Sequence, residues 1–388
     1  MNIFYTSESK IYKLEGQNKT EIICGKIVKY KEALESIRRR SDWKTSGKGA
    51  AFMGAAPTAD PENIYARLNG LAINGDRLVY GVTVDASASL YHRTFERTDE
   101  NEGLILSSND LSFGAFDCMD GKMAVSMGHA AGELHIAVMT PPASGYTEYT
   151  DGDTTEENPW WSRSVHDRIY FSTAGNARNE YGAVGAVSPR AGAYLDVKAG
   201  EMKEILSDEK YDYIKIKDDK SGNIYCIRQP YGGEKQESGV KFSDIILFPY
   251  RIIKGFLGWL NFMCTIWGGE ALKNGGNDNN TAPGFMKAKN RSPRDIIIDG
   301  NIIKAEENAK KHQNDDDMSG LMPLSRVLLK IEADGEETVI KKGVLDYTVC
   351  PDGSLLISNG RHIISVKDGT ETHIAKAYLA MNLTPFEE

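Results

Sequence analysis

Ten consecutive residues in the first half of the chain gather the side chains best suited to holding a ligand: Pro159-Trp160-Trp161-Ser162-Arg163-Ser164-Val165-His166-Asp167-Arg168. Two indoles, two guanidiniums and an imidazole can stack a ring and neutralise an anion, which suits a sugar or an anionic ligand. Trp160, Trp161, Arg163 and His166 are therefore the candidate ligand-pocket residues. The competing arrangement is a Trp pair filling the gap between packed sheets. His129 and His135 fall on an expected hairpin, where separate strands could bring two imidazoles together on a metal. The other histidines have no paired-ligand spacing. Asn314-Asp315-Asp316-Asp317 and Asp151 to Glu157 are rich in carboxylates. The first lacks the alternating ligands and the glycine of a calcium loop, and the second has acidic ligands but no completed motif. No GxSxG, P-loop or GxGxxG-plus-helix pattern is present, so the sequence nominates no catalytic residue, no metal and no cofactor.

These residues need a scaffold, and composition narrows its kind. Forty-six Lys and Arg against 55 Asp and Glu leave 388 residues with a net charge of −9, which argues against a nucleic-acid-wrapping surface. A hydrophobic share of 40% supports an extensive core. Thirty-eight glycines with 18 tyrosines fit many short strands joined by tight turns. The five cysteines, Cys24, Cys118, Cys226, Cys264 and Cys350, form no CxxC and sit among apolar or strand-forming neighbours. They are expected to be small buried hydrophobes in a reducing compartment. The Met1 to Thr6 start has no basic stretch followed by an apolar one. A cytoplasmic protein, with contact at a membrane face as a variant, is the expectation.

Internal repetition gives the architecture. Asn2 to Cys24 superimposes without a gap on Ser354 to Lys376, with Ile3, Phe4, Ile11, Tyr12, Leu14 and Ile22 matched to Leu355, Leu356, Ile363, Ile364, Val366 and Ile374. Each copy reads as a three-stranded meander. A Cys-x-Asp-Gly turn precedes apolar runs at Cys118 and at Cys350, and looser versions precede Leu78 and Ile224. The repeating unit is strand, turn, strand, turn, strand, turn, strand, starting near residues 65, 110, 158, 211 and 344. Four strands at a period near forty residues resembles the β-propeller superfamily, without the marks of WD40 or kelch blades. The resemblance implies an all-β, six-bladed propeller forming a single domain over residues 1–388. Ala377 to Leu383 would complete the blade begun by the N-terminus and so close the ring. Residues 27–63, with a helical stretch from Lys31 to Arg40, leave room for a seventh blade.

Residues 233–323 interrupt the unit that starts near Tyr211. Within them, 248–267 places Arg251, Lys254, Gly258, Asn261 and Thr265 at steps of three and four, a narrow polar stripe on a helix otherwise large and apolar. Arg251, Lys254, Phe256, Trp259, Leu260, Phe262, Met263 and Trp267 are its candidate contact residues. Three arrangements are open: a membrane span, which two early cations make short; an interfacial helix; and packing against the propeller or a partner. A polar linker, Asn274 to Ala282, and a charged helix within Ile296 to Gln313 follow. The functional expectation is a non-catalytic binding or scaffold propeller with a protein partner, the inserted helix contacting that partner or a membrane surface, and no nucleic acid. The alternative is a propeller hydrolase or lyase whose axial site leaves no local motif.

Overall fold

Tight turns cut this chain into short antiparallel strands. Asp120 and Gly121 both take positive φ, 50° and 77°, and reverse Ser112–Met119 into Lys122–Gly128. That backbone twist matches the twist of paired strands. Gly75 and Gly353, with φ of 61° and 79°, make the corresponding reversals elsewhere. The computed structural model describes residues 2–45, 66–85, 87–94, 102–129, 132–178, 184–232, 296–298, 301–311 and 318–386.

The strands form six sheets around an axis, and the chain is a six-bladed β-propeller. From the axis outward, blade 1 is Met381–Phe386, Asn2–Ser7, Lys10–Glu15 and Asn18–Ile22. Blade 2 is Ala66–Asn74, Arg77–Val84, Ser87–Thr94 and Gly103–Ser108. Blade 3 is Ser112–Met119, Lys122–Gly128, His135–Met139 and Tyr146–Glu148. Blade 4 is Thr154–Trp161, Arg168–Arg178, Ala191–Asp196 and Glu201–Leu206, with Val184–Val187 paired to its second strand. Blade 5 is Tyr211–Asp218, Ile224–Pro230, Val327–Ile331 and Glu337–Lys342. Blade 6 is Asp346–Val349, Leu355–Ser358, His362–Lys367 and Thr370–Lys376. Five of these begin within a few residues of the starts read from the repeats.

The core lies between blades rather than in one central mass. Phe4, Ile11, Leu78, Tyr80 and Val82 fill the gap between blades 1 and 2. Leu90, Phe116, Met123 and Val125 join blades 2 and 3. Ile136, Trp161, Phe171 and Leu195 join blades 3 and 4. Tyr213, Ile227, Leu328 and Tyr347 link blade 5 to its neighbours, and Ile3, Tyr5, Leu356 and Ile363 seal blade 6 against blade 1. The four described cysteines, Cys24, Cys118, Cys226 and Cys350, are buried and unpaired, and burial pushes the Cys226 thiol up to about 12.

The ring closes through the chain's two ends. Asn2, Ile3 and Phe4 pair with Phe386, Pro385 and Thr384, and the Phe4 and Phe386 rings stack at 4.5 Å. The closing strand begins at Met381 rather than at Ala377 because Leu379 takes a φ of 45°. The turn it makes docks on blade 6, with Leu379 N–H donating to Gly360 O. Where room for a seventh blade was expected, Gly25–Thr45 is a helix longer than the Lys31 to Arg40 stretch. Residues 46–65 lie outside the described set.

Between the paired second and third strands of blade 5 lie a hairpin, Ile296–Ile298 with Asn301–Ile303, and a helix, Ala305–Lys311. Ile298, Ile303, Ala305 and Ala309 pack with Leu321, Met322 and Leu345. The stretch 248–267, and with it every contact residue proposed there, lies outside the described residues. Among the described residues no helix is long and apolar enough to cross a membrane.

Candidate functional site

A bulge recurs on the innermost strands. Gly114-Ala115, Asn158-Pro159, Lys215-Ile216 and Asn382-Leu383 are each two residues opposing one in blades 3, 4, 5 and 1, and blade 2 has its own irregularity at Asn69. Asn158, Lys215 and Asn382 take φ of 56°, 55° and 53° there, a conformation that asparagine tolerates better than lysine does. Bulges of this kind re-aim the residues that follow. Superimposing the blades on the bulges, and blade 6 through its Cys-x-Asp-Gly turn, defines two levels around the axis. The lower holds Gly114, Asn158, Lys215, Asp346 and Asn382. The upper holds Leu71, Phe116, Trp160, Lys217, Thr348 and Thr384.

All six inner strands line one cavity of about 360 Å³ where these levels meet. Such a volume is at the small end of small-molecule sites, typically about 300–1,000 Å³. Its mouth is at the first-to-second-strand turns, with Cys118, Asp219, Lys220, Cys350 and Pro351 among the lining residues. One wall is apolar, through Leu71, Phe116, Leu383 and Pro385. The opposite side carries charge.

Lys215 and Asp346 form a buried ion pair, with Nζ donating to Oδ1 at 2.6 Å. The backbone N–H groups of Tyr347 and Asn382 also donate to that carboxylate. Such donors meet the needs of a charge withdrawn from water. Lys217 is placed differently. Its ammonium donates to Tyr347 O at 2.9 Å and to Thr348 Oγ1 at 3.3 Å, and it lies 4.6 Å from the Trp160 ring centroid. Among the described residues no carboxylate is within ion-pair distance of it. Burial pushes its ammonium down to about 8; the Asp346 carboxylate opposes this shift, and the Lys215 ammonium adds to it.

Trp160 and Arg163 line this cavity, and Arg163 stacks on the Trp160 ring at 4.0 Å. Arg163 also donates through Nη2 to both oxygens of Asp117, at 3.2 and 3.0 Å. Trp161 is 1% exposed and wedged between blades 3 and 4; its backbone N–H donates to Asp117 Oδ2. His166 is exposed beside Asp167 and is not among the lining residues. His129 and His135 do not meet: His129 lies 2.6 Å from Glu148 and His135 lies 2.9 Å from Glu156.

Residues outside the expected cluster hold it in place. Fully buried Asp218 accepts from Trp160 Nε1, Ser162 Oγ, Arg163 N–H, Ser164 N–H and Ser164 Oγ, at 2.6 to 3.2 Å. It fastens the segment from Trp160 to Ser164 to blade 5. Asp117, Lys215, Lys217, Asp218 and Asp346 were not nominated from sequence. The one available signal is Lys215-Ile216-Lys217-Asp218, an unusual charge density for a strand next to the axis.

No family model matches the chain, and no curated protein matches it. Among solved structures it is similar to TolB from Acinetobacter baumannii, at 8% identity and a TM-score of 0.49 over 99% of this chain and 65% of that one. It is also similar to a putative TolB from Agrobacterium tumefaciens, at 8% identity and a TM-score of 0.41, covering 82% and 85% of the two chains. An oligogalacturonate lyase from Vibrio parahaemolyticus matches at 9% identity and a TM-score of 0.39, covering 92% and 71%. The chain thus spans less than two thirds of the length of the first of these.

Proposed function

We propose that this protein is a non-catalytic binding propeller that takes a small-molecule ligand in its axial cavity. The observation that carries this reading is Lys217: a desolvated ammonium beside a cavity, supplied with ring faces and neutral acceptors but with no carboxylate in ion-pair distance among the described residues. A half-buried cation placed that way, desolvated and without a counter-charge, is a liability for folding and an asset for recognition. Trp160 and Arg163 belong to the same site, and Asp218 and Asp117 are positioning residues. The apolar stretch 248–267 is assigned a second contact, with a protein partner or a membrane surface, on the strength of its narrow polar stripe.

The test is equilibrium dialysis of the full chain against a metabolite extract, with mass spectrometry of what is retained. An Ala115→Trp variant, which fills the cavity, is run beside it after circular dichroism has established its strand content. A molecule retained by the wild type, released unchanged and lost from the variant is the expected result. Recovery of a chemically altered molecule would favour the hydrolase or lyase alternative. Retention by both chains, or by neither, would remove the axial cavity as the binding site. For the second contact, vesicle flotation of the intact chain against one lacking 243–269 identifies a membrane surface if only the intact chain floats. If neither floats, the oligomeric state and solubility of the shortened chain separate a protein partner from packing on the propeller itself.

A further inference from the structure

The cavity's charge and shape define the chemistry of its ligand more narrowly. We infer that the axial cavity selects a small amphiphilic monocarboxylate, its headgroup on Lys217 and its apolar body against Leu71, Phe116 and Leu383. This rests on the binding reading above.

The inference starts from the two cations that already have partners. Arg163 is matched by Asp117 and Lys215 by Asp346, so neither carries unbalanced charge into the cavity. Lys217 does. An ammonium has three donors, and two are directed at Tyr347 O and Thr348 Oγ1, which leaves one for a ligand. The Trp160 ring lies within cation–π reach of both Lys217 and Arg163, at 4.6 and 4.0 Å. Two like charges share one ring, and an incoming anion relieves their repulsion. Among the described lining residues Lys220 also lacks an ion pair, but it is exposed at the mouth. Lys217 is the unbalanced cation on the Trp160 side, and one such cation matches a single negative charge. Asp219 also lines the cavity, with no ion-pair partner among the described residues, and would repel a dianion. The apolar wall needs something to cover it, which a bare inorganic anion cannot do.

Isothermal titration at pH 7 tests this with the full chain and aryl monocarboxylates from phenylacetate to 4-phenylbutyrate, each against its primary amide. The amide keeps the shape and removes the charge. At least one carboxylate is expected to bind ten-fold or more tightly than its amide. Lys217→Met is expected to weaken that carboxylate ten-fold or more and the amide, which loses only a neutral hydrogen bond, by less. The carboxylate's affinity should fall as the pH rises through about 8, where free Lys217 loses its proton. The groups facing Lys217 are Asp117, Arg163, Lys215, Asp346, Tyr347 and Cys350, so the same titration on Lys217→Met identifies which part of the fall belongs to Lys217. Equal affinity for acid and amide overturns the ligand class and leaves the binding reading standing. Absence of binding by every carboxylate also overturns it, and the dialysis experiment then says independently whether the cavity binds anything. A neutral or cationic molecule retained in that dialysis would have the same consequence.

Discussion

Lys217 is where stability and recognition pull apart. Its folded-state pKa, lowered to about 8 by burial, lies below the value near 10.4 of an exposed lysine. Between those values the unfolded chain holds more protons than the folded one, so this residue makes stability rise with pH across that window. Below it the buried charge costs stability at every pH. Lys217→Met should therefore stabilise the protein by about 1–2 kcal/mol at pH 7, with the advantage shrinking as the pH approaches 10. Urea unfolding of both chains across that range checks it, and the difference between them cancels the opposing titration of buried cysteines and tyrosines. A difference that stays constant with pH would mean that Lys217 is not desolvated. The charge density of Lys215-Ile216-Lys217-Asp218 was legible in the sequence, but the desolvation of Lys217 was not. A lysine in a strand ordinarily marks the solvent face, but inner strands are covered on both faces and show little alternation to read. The bulge at Lys215-Ile216 also shifts the side-chain phase just before Lys217.

At the scale of elements, the first-to-second-strand turns did much of the work of recognition. Asp120 and Gly121 both take positive φ and Gly353 does so after Asp352, torsions that few other residues adopt easily, so these pairs were visible as turns and marked the blades around them. The Trp160 to Ser164 segment was visible as chemistry but not as geometry, because the carboxylate that shapes it comes from another blade. Asp218 is 54 to 58 residues from the groups it binds. Asp218→Ala should strand several buried donors at once and destabilise the protein by about 3–5 kcal/mol. It should also loosen Trp160, read as a loss of near-ultraviolet circular dichroism. Native-like stability together with an unchanged Trp signal would mean that the clamp is dispensable.

The whole molecule depends on its closing strand. Met381–Phe386 supplies the inner edge of blade 1, buries Leu383 and Phe386, and forms part of the cavity wall. A chain ending at residue 380 should lose about 5 kcal/mol or more, comparable with the whole stability of many domains, and should self-associate through the exposed edge of Asn2–Ser7. A peptide covering 377–388, added in trans, should restore a monomer by light scattering; a truncated chain that remains monomeric and melts where the full chain does would contradict this. The clasp also has a consequence in time. Thr6 and Met381 are 375 positions apart, so at roughly 5–20 residues per second a ribosome delivers the second roughly 20–75 s after the first. Throughout that interval the opening meander has no partner for its leading edge. The blade that Asn2–Ser7 begins is thus completed only when Met381–Phe386 arrives, and the cavity comes into existence only when that strand is threaded home.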